Sequence, residues 1–401
     1  MGRVLRMFTL RPDVQSVAVA AMVLVAALCG FSDAARASEP PPWKAAVDEA
    51  AGRYLRENPQ AAAISIGVLK DGETQVFQYG TLVRGEERSP REDTVFAMAS
   101  ITKTFTGTLL AQAAVEGRVS LSDDVRDYLD GDYPNLEFEG QPIRLRDLLD
   151  HRSGLPFLLP DRPELDPGYQ GDARPYATRI AEVARTYDRA QFLEDLHEVQ
   201  LTATPGAAFQ YSNAAAQLAG YVLERVYGQP YAALLQTRIL DPLSMSDTGL
   251  SLNPDQQARL APGWNAEGDR MPENPEWLQA AGALKSTTPD MLKYVRWHVA
   301  ESDPAVRLSH QPVFTSTEPV FGDRGVFSVG LNWQMVELDG HRVIWQDGMI
   351  EGASALCILQ PELKLGLVVM TNQLGPETAN ANRTLVNAIL KSLDPSTVPV
   401  P

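Results

Sequence analysis

One segment of the 401-residue chain precedes a well-patterned helix and reads Phe96-Ala97-Met98-Ala99-Ser100-Ile101-Thr102-Lys103. Ser100 is the only serine in the sequence with a lysine three positions later. Apolar residues then recur at every fourth position, which predicts a helix with one apolar stripe, formed by Ile101, Phe105, Leu109 and Ala113. Because residues three apart share a helix face, the Ser100 hydroxyl and the Lys103 amine can meet.

This pair of side chains predicts a nucleophile and its base. A serine hydroxyl becomes a strong nucleophile when a nearby group removes its proton. An amine in a partly desolvated pocket has a lowered pKa and can accept that proton at neutral pH. The start of a helix also presents free N–H groups to developing negative charge. Taken alone the pattern is a weak signal, since Ser-x-x-Lys also arises by chance.

The first 37 residues have the pattern of a secretory signal peptide. Three arginines precede an apolar run at residues 17–28, which is shorter than a typical membrane span. The tripeptide Ala35-Arg36-Ala37 supplies a cleavage site before Ser38. We therefore expect a periplasmic or secreted protein, with an uncleaved N-terminal anchor as the alternative.

Composition and charge exclude several classes of function. The formal net charge is −16 at pH 7, and a strongly acidic protein is a poor binder of nucleic acid. No apolar run after the N-terminal segment approaches the length of a membrane span, so we expect none after signal cleavage. Cys357 lies in an apolar run and is predicted to be a buried core residue. Five histidines without metal-ligand spacing predict neither a metal nor a cofactor.

Strand patterns near both ends of the chain enclose a mainly helical middle. A helix at residues 44–56 precedes a hairpin whose strands, at 63–69 and 74–79, flank the turn Asp71-Gly72. After residue 325 we predict four strands, a closing helix and a frayed tail, at Val329–Val336, Arg342–Trp345, Ala353–Leu359, Leu365–Met370, Asn382–Leu390 and from Asp394 onward.

This order predicts an α/β protein of the α+β kind. Both ends of the chain would build one antiparallel sheet, flanked by helices, and the middle would form a largely helical insertion beside it. We expect a single catalytic domain over residues 38–401. Its α/β part would take in about 43–116 and 290–393, and its mainly helical part about 117–289.

Two further motifs follow Ser100 and Lys103 in the chain. Tyr211-Ser212-Asn213 precedes a predicted helix with Gly228 as its stop, and Gln346-Asp347-Gly348 directly follows the predicted strand Arg342–Trp345. A lone Tyr-x-Asn most often marks only a capped helix start. In this order, however, the three motifs resemble those of the serine β-lactamase and penicillin-binding protein superfamily. The resemblance is nearest to class C-type β-lactamases and related D-alanyl-D-alanine peptidases and esterases, and it extends over about residues 45–390.

The resemblance implies a β-lactamase/transpeptidase-like fold and a serine hydrolase. Ser100 would attack a carbonyl carbon and form an acyl-enzyme. Lys103 would take or share the proton of the Ser100 hydroxyl. Tyr211 would act as a phenolate or relay a proton to the leaving group.

The remaining motif residues would bind the substrate. Asn213 has an amide suited to holding a peptide bond. The N–H groups of Ser100 and Met349 would form an oxyanion hole. Gly348 would let a substrate lie close against the strand. His151 is expected to brace a loop, since the resemblance gives it no chemical role.

The third motif departs from the family pattern at Gln346. The family has lysine or histidine there, a cation that helps to bind the substrate carboxylate. Gln346 carries no charge and Asp347 beside it is acidic. Loss of a charge-assisted hydrogen bond costs about 1.5–3 kcal/mol of recognition. Efficient β-lactam hydrolysis is the activity most affected, unless an arginine or lysine from a loop compensates.

Four functions remain open at this point. The leading hypothesis is an exported hydrolase acting on D-amino-acid peptides of peptidoglycan, as a D-alanyl-D-alanine carboxypeptidase or endopeptidase. The alternatives are a β-lactamase, an esterase on small acyl esters and a penicillin-binding sensor that does not hydrolyse its ligand. The partner in each case is a small-molecule or peptide substrate.

Overall fold

The computed structural model describes residues 41, 43–58, 63–273, 276–375 and 377–401. The predicted signal segment, 1–37, lies outside these residues. Of the first 44 residues the structure describes three, among which the Lys44 N–H donates to the Pro41 carbonyl where the first helix begins. Within the described ranges, no helix combines the length and apolar character needed to cross a membrane.

Helices and strands alternate in blocks along the chain. The helices are α1 (Lys44–Glu57), α2 (Thr102–Val115), α3 (Leu145–Leu149), α4 (Tyr176–Val183), α5 (Arg189–Glu198), α6 (Asn213–Tyr227), α7 (Tyr231–Leu235), α8 (Pro254–Ala258), α9 (Thr288–Ala300), α10 (Pro304–Ser309) and α11 (Thr378–Leu393). The strands are β1 (Ala63–Lys70), β2 (Glu73–Gly80), β3 (Phe96–Ala97), β4 (Glu137–Phe138), β5 (Gln141–Pro142), β6 (Lys285–Ser286), β7 (Phe314–Phe321), β8 (Arg324–Val329), β9 (Gln334–Leu338), β10 (His341–Ile350), β11 (Ala353–Gln360) and β12 (Leu365–Thr371).

One eight-stranded antiparallel sheet joins the two ends of the chain, in the order β2-β1-β12-β11-β10-β9-β8-β7. The hairpin turn at Asp71 and Gly72 takes positive φ angles of 51° and 87°, which suit a tight two-residue connection. Strand β1 then pairs with β12, so that Ile64 lies opposite Thr371. These pairings confirm the predicted sheet built from both ends.

Helices cover both faces of this sheet. Gly366 of β12 faces Val295 of α9, where a side chain would overlap the valine. Thr371 lies five residues further on and therefore points to the opposite face. There it shares a hydrogen bond with Ser354, which also accepts one from Asn382 of α11. The sheet is thus a buried layer, and Cys357 on β11 is fully buried as predicted.

The predicted strand Val329–Val336 is wrong, because a turn interrupts it. Strand β8 ends at Val329, the Gly330 N–H donates to the Trp333 carbonyl, and β9 begins at Gln334. Asn332 within the turn has a φ of 61°, which a strand does not allow. The run is apolar because the turn itself is buried, with Leu331 and Trp333 fully shielded from solvent.

Two further differences concern the end of the chain. Strand β7 was not predicted, and α11 is longer than expected. The tail predicted to fray is packed: Val398 and Val400 are buried. The Val398 N–H and carbonyl both bond the side chain of Gln360, and the Val400 N–H donates to Asn387. Polar side chains on β11 and α11 therefore hold the tail as a short extra segment.

Helix α2 carries Lys103 in its first turn, directly after the turn that holds Ser100, and is buried on nearly all sides. The four residues of the predicted stripe are fully buried, but so are Thr104, Thr106 and Thr108 on other faces. Thr106 donates to the Ala280 carbonyl, and Gly107 lies against the carbonyl of Leu331. The helix ends at Val115, just before Gly117 with its φ of 68°, as predicted.

Replacing Gly107 with alanine tests the contact between α2 and the β8–β9 turn. The new Cβ would overlap the Leu331 carbonyl oxygen, a main-chain atom that cannot move freely. We expect Gly107→Ala to lower the free energy of unfolding by about 1–3 kcal/mol, measured by urea denaturation.

Gly52→Ala on helix α1 is the matched control. Its Cβ would meet only the flexible end of Arg56, so the helix propensity of alanine should leave stability unchanged or raise it by up to about 1 kcal/mol. Equal stability changes in the two variants would contradict the proposed packing.

Candidate active site

Ser100 lies in a 3₁₀ turn, Ala99–Ile101, directly before α2. Ala99 has a φ of 44°, a conformation that few residues with a side chain adopt. The Met98 N–H donates to the Leu284 carbonyl, and the Leu284 N–H donates back to the Thr102 hydroxyl. These bonds fix the turn so that Ser100 stays half-exposed at the start of a buried helix.

Lys103 is fully buried, and its Nζ is held by three acceptors. It lies 2.9 Å from Ser100 Oγ, 2.7 Å from Asn213 Oδ1 and 2.7 Å from the Ala281 carbonyl oxygen. Burial lowers the pKa of Lys103 from 10.5 to about 7, against a smaller opposing effect of the Asp347 carboxylate. A sizeable share of neutral amine therefore contacts the serine near pH 7.

Tyr211 donates its hydroxyl hydrogen to the same Ser100 Oγ, at 2.6 Å. The Lys103 Nζ lies 4.9 Å from the centre of the tyrosine ring. Desolvation raises the pKa of Tyr211, and the negative charge of Asp347 adds to this shift. The phenolate alternative is therefore disfavoured in this arrangement, whereas the proton relay is compatible with it.

Helix α6 positions Tyr211 and Asn213 on either side of its cap. The Ser212 hydroxyl accepts the Ala215 N–H, and Gly228 ends the helix with a φ of 64°, as predicted. Asn213 directs Oδ1 to Lys103, so Nδ2 is the end of the amide that can meet a substrate.

His151 braces the segment that carries Tyr211, which confirms its expected role. Its Nδ1 accepts the Ser212 N–H at 3.3 Å, and its carbonyl accepts the Gln210 N–H. Its ring lies 4.3 Å from that of Tyr211, measured between centroids. Burial lowers the pKa of His151 to about 3, so the imidazole is neutral and can accept.

The third motif lies where β10 loses one of its two neighbours. Pairing with β9 ends at Trp345, whereas pairing with β11 continues to Ile350. A Cβ on Gly348 would lie 3.0 Å from the Ser100 nitrogen and would overlap the Met98 carbonyl oxygen. The glycine therefore brings the strand against the serine turn, and the expectation that it also lets a substrate lie close against the strand stays a prediction.

Gln346 and Asp347 form a polar cluster with Gln334 of β9. Gln346 is buried, and its Oε1 accepts a hydrogen from Gln334 Nε2 at 3.4 Å. The same Gln334 nitrogen lies 3.3 Å from Asp347 Oδ1. The Gln346 Nε2 donates to the Asp347 carbonyl at 3.2 Å, so both ends of its amide are engaged along the sheet. Met349 is exposed beside the cluster.

Several residues around this site were missed by sequence reasoning. The Ala281 carbonyl on Lys103, the Asn332 amide that donates to the Lys103 carbonyl, and Gln334 come from loops or strand ends without a motif. Arg383 of α11 lies 3.9 Å from Asp347, measured from Nη2 to Oδ2. The missing cation of the third motif was the one signal that could have directed attention to such an arginine.

Comparison with known proteins identifies the family of this chain. A family model described as beta-lactamase matches residues 50–391. The chain belongs to the beta-lactamase family. It is a serine hydrolase, and the resemblance stated from the motifs is confirmed.

The relatives of this beta-lactamase-family protein are described as enzymes with different activities. It is 25% identical to a beta-lactamase of Pseudomonas fluorescens over 83% of each chain. It is 33% identical to the D-alanyl-D-alanine-carboxypeptidase/endopeptidase AmpH of Escherichia coli K12, over 58% of this chain and 56% of that one. A solved beta-lactamase/D-alanine carboxypeptidase from Yersinia pestis, 24% identical, shares the fold with a TM-score of 0.70 over 88% of this chain and 98% of that chain.

The pKa of Lys103 can be measured directly. The sequence has seven lysines, so ¹³C NMR of lysine labelled at Cε can follow each one, with Lys103→Arg giving the assignment. We expect a titration at about pH 7. Asp347→Asn should move it to lower pH, because the carboxylate stabilises the ammonium form.

Asp323→Asn, in the exposed turn between β7 and β8, serves as the control and should leave the Lys103 titration in place. A Lys103 signal that titrates near 10.5, as in an exposed lysine, would contradict the buried neutral amine.

Proposed function

We propose that this family member is an exported serine hydrolase that forms an acyl-enzyme on Ser100. The observation that carries the proposal is the convergence of two groups on one oxygen, since Lys103 and Tyr211 both bond Ser100 Oγ. A base and a proton donor on one hydroxyl suit a nucleophile that must lose a proton and then supply one to a leaving group. Export is supported by the signal pattern at 1–37.

The steps follow from these contacts. The neutral Lys103 amine takes the hydroxyl proton as Ser100 Oγ attacks the carbonyl carbon. The N–H groups of Ser100 and Met349 are proposed to stabilise the oxyanion, because Gly348 lies against the serine turn. The proton passes through Tyr211 to the leaving nitrogen, and the C–N bond breaks. Water then cleaves the acyl ester, with the same groups acting in reverse.

D-Amino-acid peptides of peptidoglycan are the proposed substrates, with carboxypeptidase or endopeptidase activity. The 33% identity with AmpH supports this choice. The Asn213 amide, anchored by Lys103, also leaves Nδ2 to hold a peptide carbonyl. β-Lactam hydrolysis is the second candidate, supported by the likeness to the Pseudomonas fluorescens enzyme. The two activities differ in how fast water removes the acyl group.

Ser100→Ala tests the nucleophile. We expect labelling by a fluorescent penicillin, and all hydrolysis, to be abolished because no acyl-enzyme can form. Ser120→Ala, an exposed serine after α2, should behave as the wild type. A peptidoglycan peptide, a chromogenic cephalosporin and a short-chain ester assayed in parallel would rank the substrates. Retained labelling of Ser100→Ala would overturn the assignment, and lasting labelling of the wild type without turnover would favour a sensor.

Tyr211→Phe tests the proton relay. The rate on a peptide should fall by about 10²–10⁴-fold, because an amine leaving group needs a proton. A phenyl ester needs none, so its hydrolysis should fall much less. Tyr79→Phe on the edge strand β2 is the control, since that hydroxyl bonds Asp48 instead. Equal losses on amide and ester would exclude a relay through Tyr211.

A further inference from the structure

Strand β10 has a free edge where it passes the nucleophile. Pairing with β9 ends at Trp345, so within the described part of the chain residues 346–350 have a strand neighbour on the β11 side alone. Gly348, in the middle of this stretch, lies against the serine turn. A peptide can add to such an edge as a further strand, because the main-chain groups of an edge can pair with another chain.

The direction of pairing decides which part of a peptide follows this edge. Every pair of neighbouring strands in the large sheet is antiparallel. The attacked carbonyl is proposed above to meet the Met349 N–H. An antiparallel peptide then places the residue before that carbonyl's own residue opposite Ile350, and the one before it opposite Glu351. The acyl arm of the substrate therefore runs toward the turn between β10 and β11.

Glu351 lies in that turn and bonds the start of helix α4. Its Oε2 accepts the N–H of Ala177, in the first turn of the helix, at 2.7 Å. Pro175 directly precedes the helix and has no side-chain atom that can accept a hydrogen bond. The Glu351 carboxylate acts in place of that cap, and its negative charge suits the N-terminal end of the helix dipole. One hydrogen bond thus joins the sheet to the helical part of the protein at the end of the free edge.

Both partners of this hydrogen bond are anchored by packing. Gly352 in the turn lies so close to Gly263 that a side chain on Gly263 would overlap its main chain. Helix α4 is held by Ile180, which is fully buried in a small apolar cluster with Ala216 of α6 and Ala281. Neither side can therefore move freely away from an incoming chain.

We propose that the Glu351–Ala177 bond closes the acyl end of the substrate site and limits an extended acyl arm to two residues. This inference rests on the proposed function and describes the acyl part of the substrate that the site selects. From Met349 to Glu351 the strand advances by about 7 Å, which is the length of two extended residues. A longer arm must leave the edge or displace the first turn of α4, so its additional residues add no affinity. Glu351 is thus a positioning residue that acts through α4.

Peptide boronic acids test this limit without turnover. The boron atom replaces the attacked carbonyl carbon, and the serine oxygen adds to it without the loss of a leaving group. The short probe is the N-acetylated boronic acid analogue of D-alanine, whose acetyl group lies opposite Ile350. The long probe has two L-alanines inserted after the acetyl group and extends past Glu351. Calorimetry gives the Kd of each probe.

The expected result is a change in the ratio of the two Kd values. In the wild type the long and the short probe should differ by less than about twofold in Kd, because the additional residues find no partners. In Glu351→Ala the first turn of α4 loses its bond to the sheet and can give way. The long probe should then bind about 3- to 10-fold more tightly than the short one, through new main-chain hydrogen bonds.

Two control variants and a second measurement separate this role from a general structural effect. Glu351→Gln keeps an oxygen that can accept the Ala177 N–H and should preserve the wild-type ratio. Glu337→Ala removes an exposed carboxylate from the neighbouring strand β9 and should also preserve it. Hydrogen exchange reports on the bond itself, and the Ala177 amide should exchange faster in Glu351→Ala than in the wild type.

The results that would overturn the inference differ from a failure of the proposed function. A wild type that prefers the long probe, an unchanged Kd ratio in Glu351→Ala, or an unchanged exchange rate at Ala177 would each exclude the end stop. A wild type that binds the probes but cleaves no D-alanyl-D-alanine peptide would instead refute the peptidase proposal, and the Kd ratio would still decide the role of Glu351.

Discussion

Burial of the Lys103 amine organises the helices and loops that surround it. A lysine without solvent is costly unless it is neutral and hydrogen-bonded, and three elements supply its partners. The serine turn, helix α6 and the loop at Ala281 each provide one hydrogen-bonding partner. Helix α2 is accordingly enclosed on nearly all sides, in line with its buried threonines and the contact of Gly107 with the β8–β9 turn.

Local signals made much of this molecule predictable from its sequence. The hairpin at Asp71, the cap of α6 and the serine–lysine spacing depend on neighbouring residues, so their patterns survive in the sequence. The prediction of a strand at 329–336 was wrong because a turn buried against α2 is as apolar as a strand. The prediction of a frayed tail was wrong because the side chains of Gln360 and Asn387, which are distant in sequence, bond its main chain. The Ala281 carbonyl and Gln334 reach the site only through tertiary folding.

The site divides into a part shared with the family and a part that is its own. Ser100, Lys103, Tyr211 and Asn213 converge as the family motifs imply. The opposite wall replaces a cation with a neutral amide and an Asp347–Arg383 pair. We propose that acyl transfer depends on the first part and substrate choice on the second, whereas family membership establishes a serine hydrolase without naming its substrate.

The glycine at position 348 also limits how the protein can evolve. Since the main chain of the serine turn fills the place of its side chain, every single-residue change there would separate the strand from the nucleophile. Selection for new substrates must therefore act on the residues around it, at 346, 347, 349 or 383. Gly348 packs directly against the turn that carries Ser100 and is therefore the residue least able to change. Substrate specificity can change only through the residues around it.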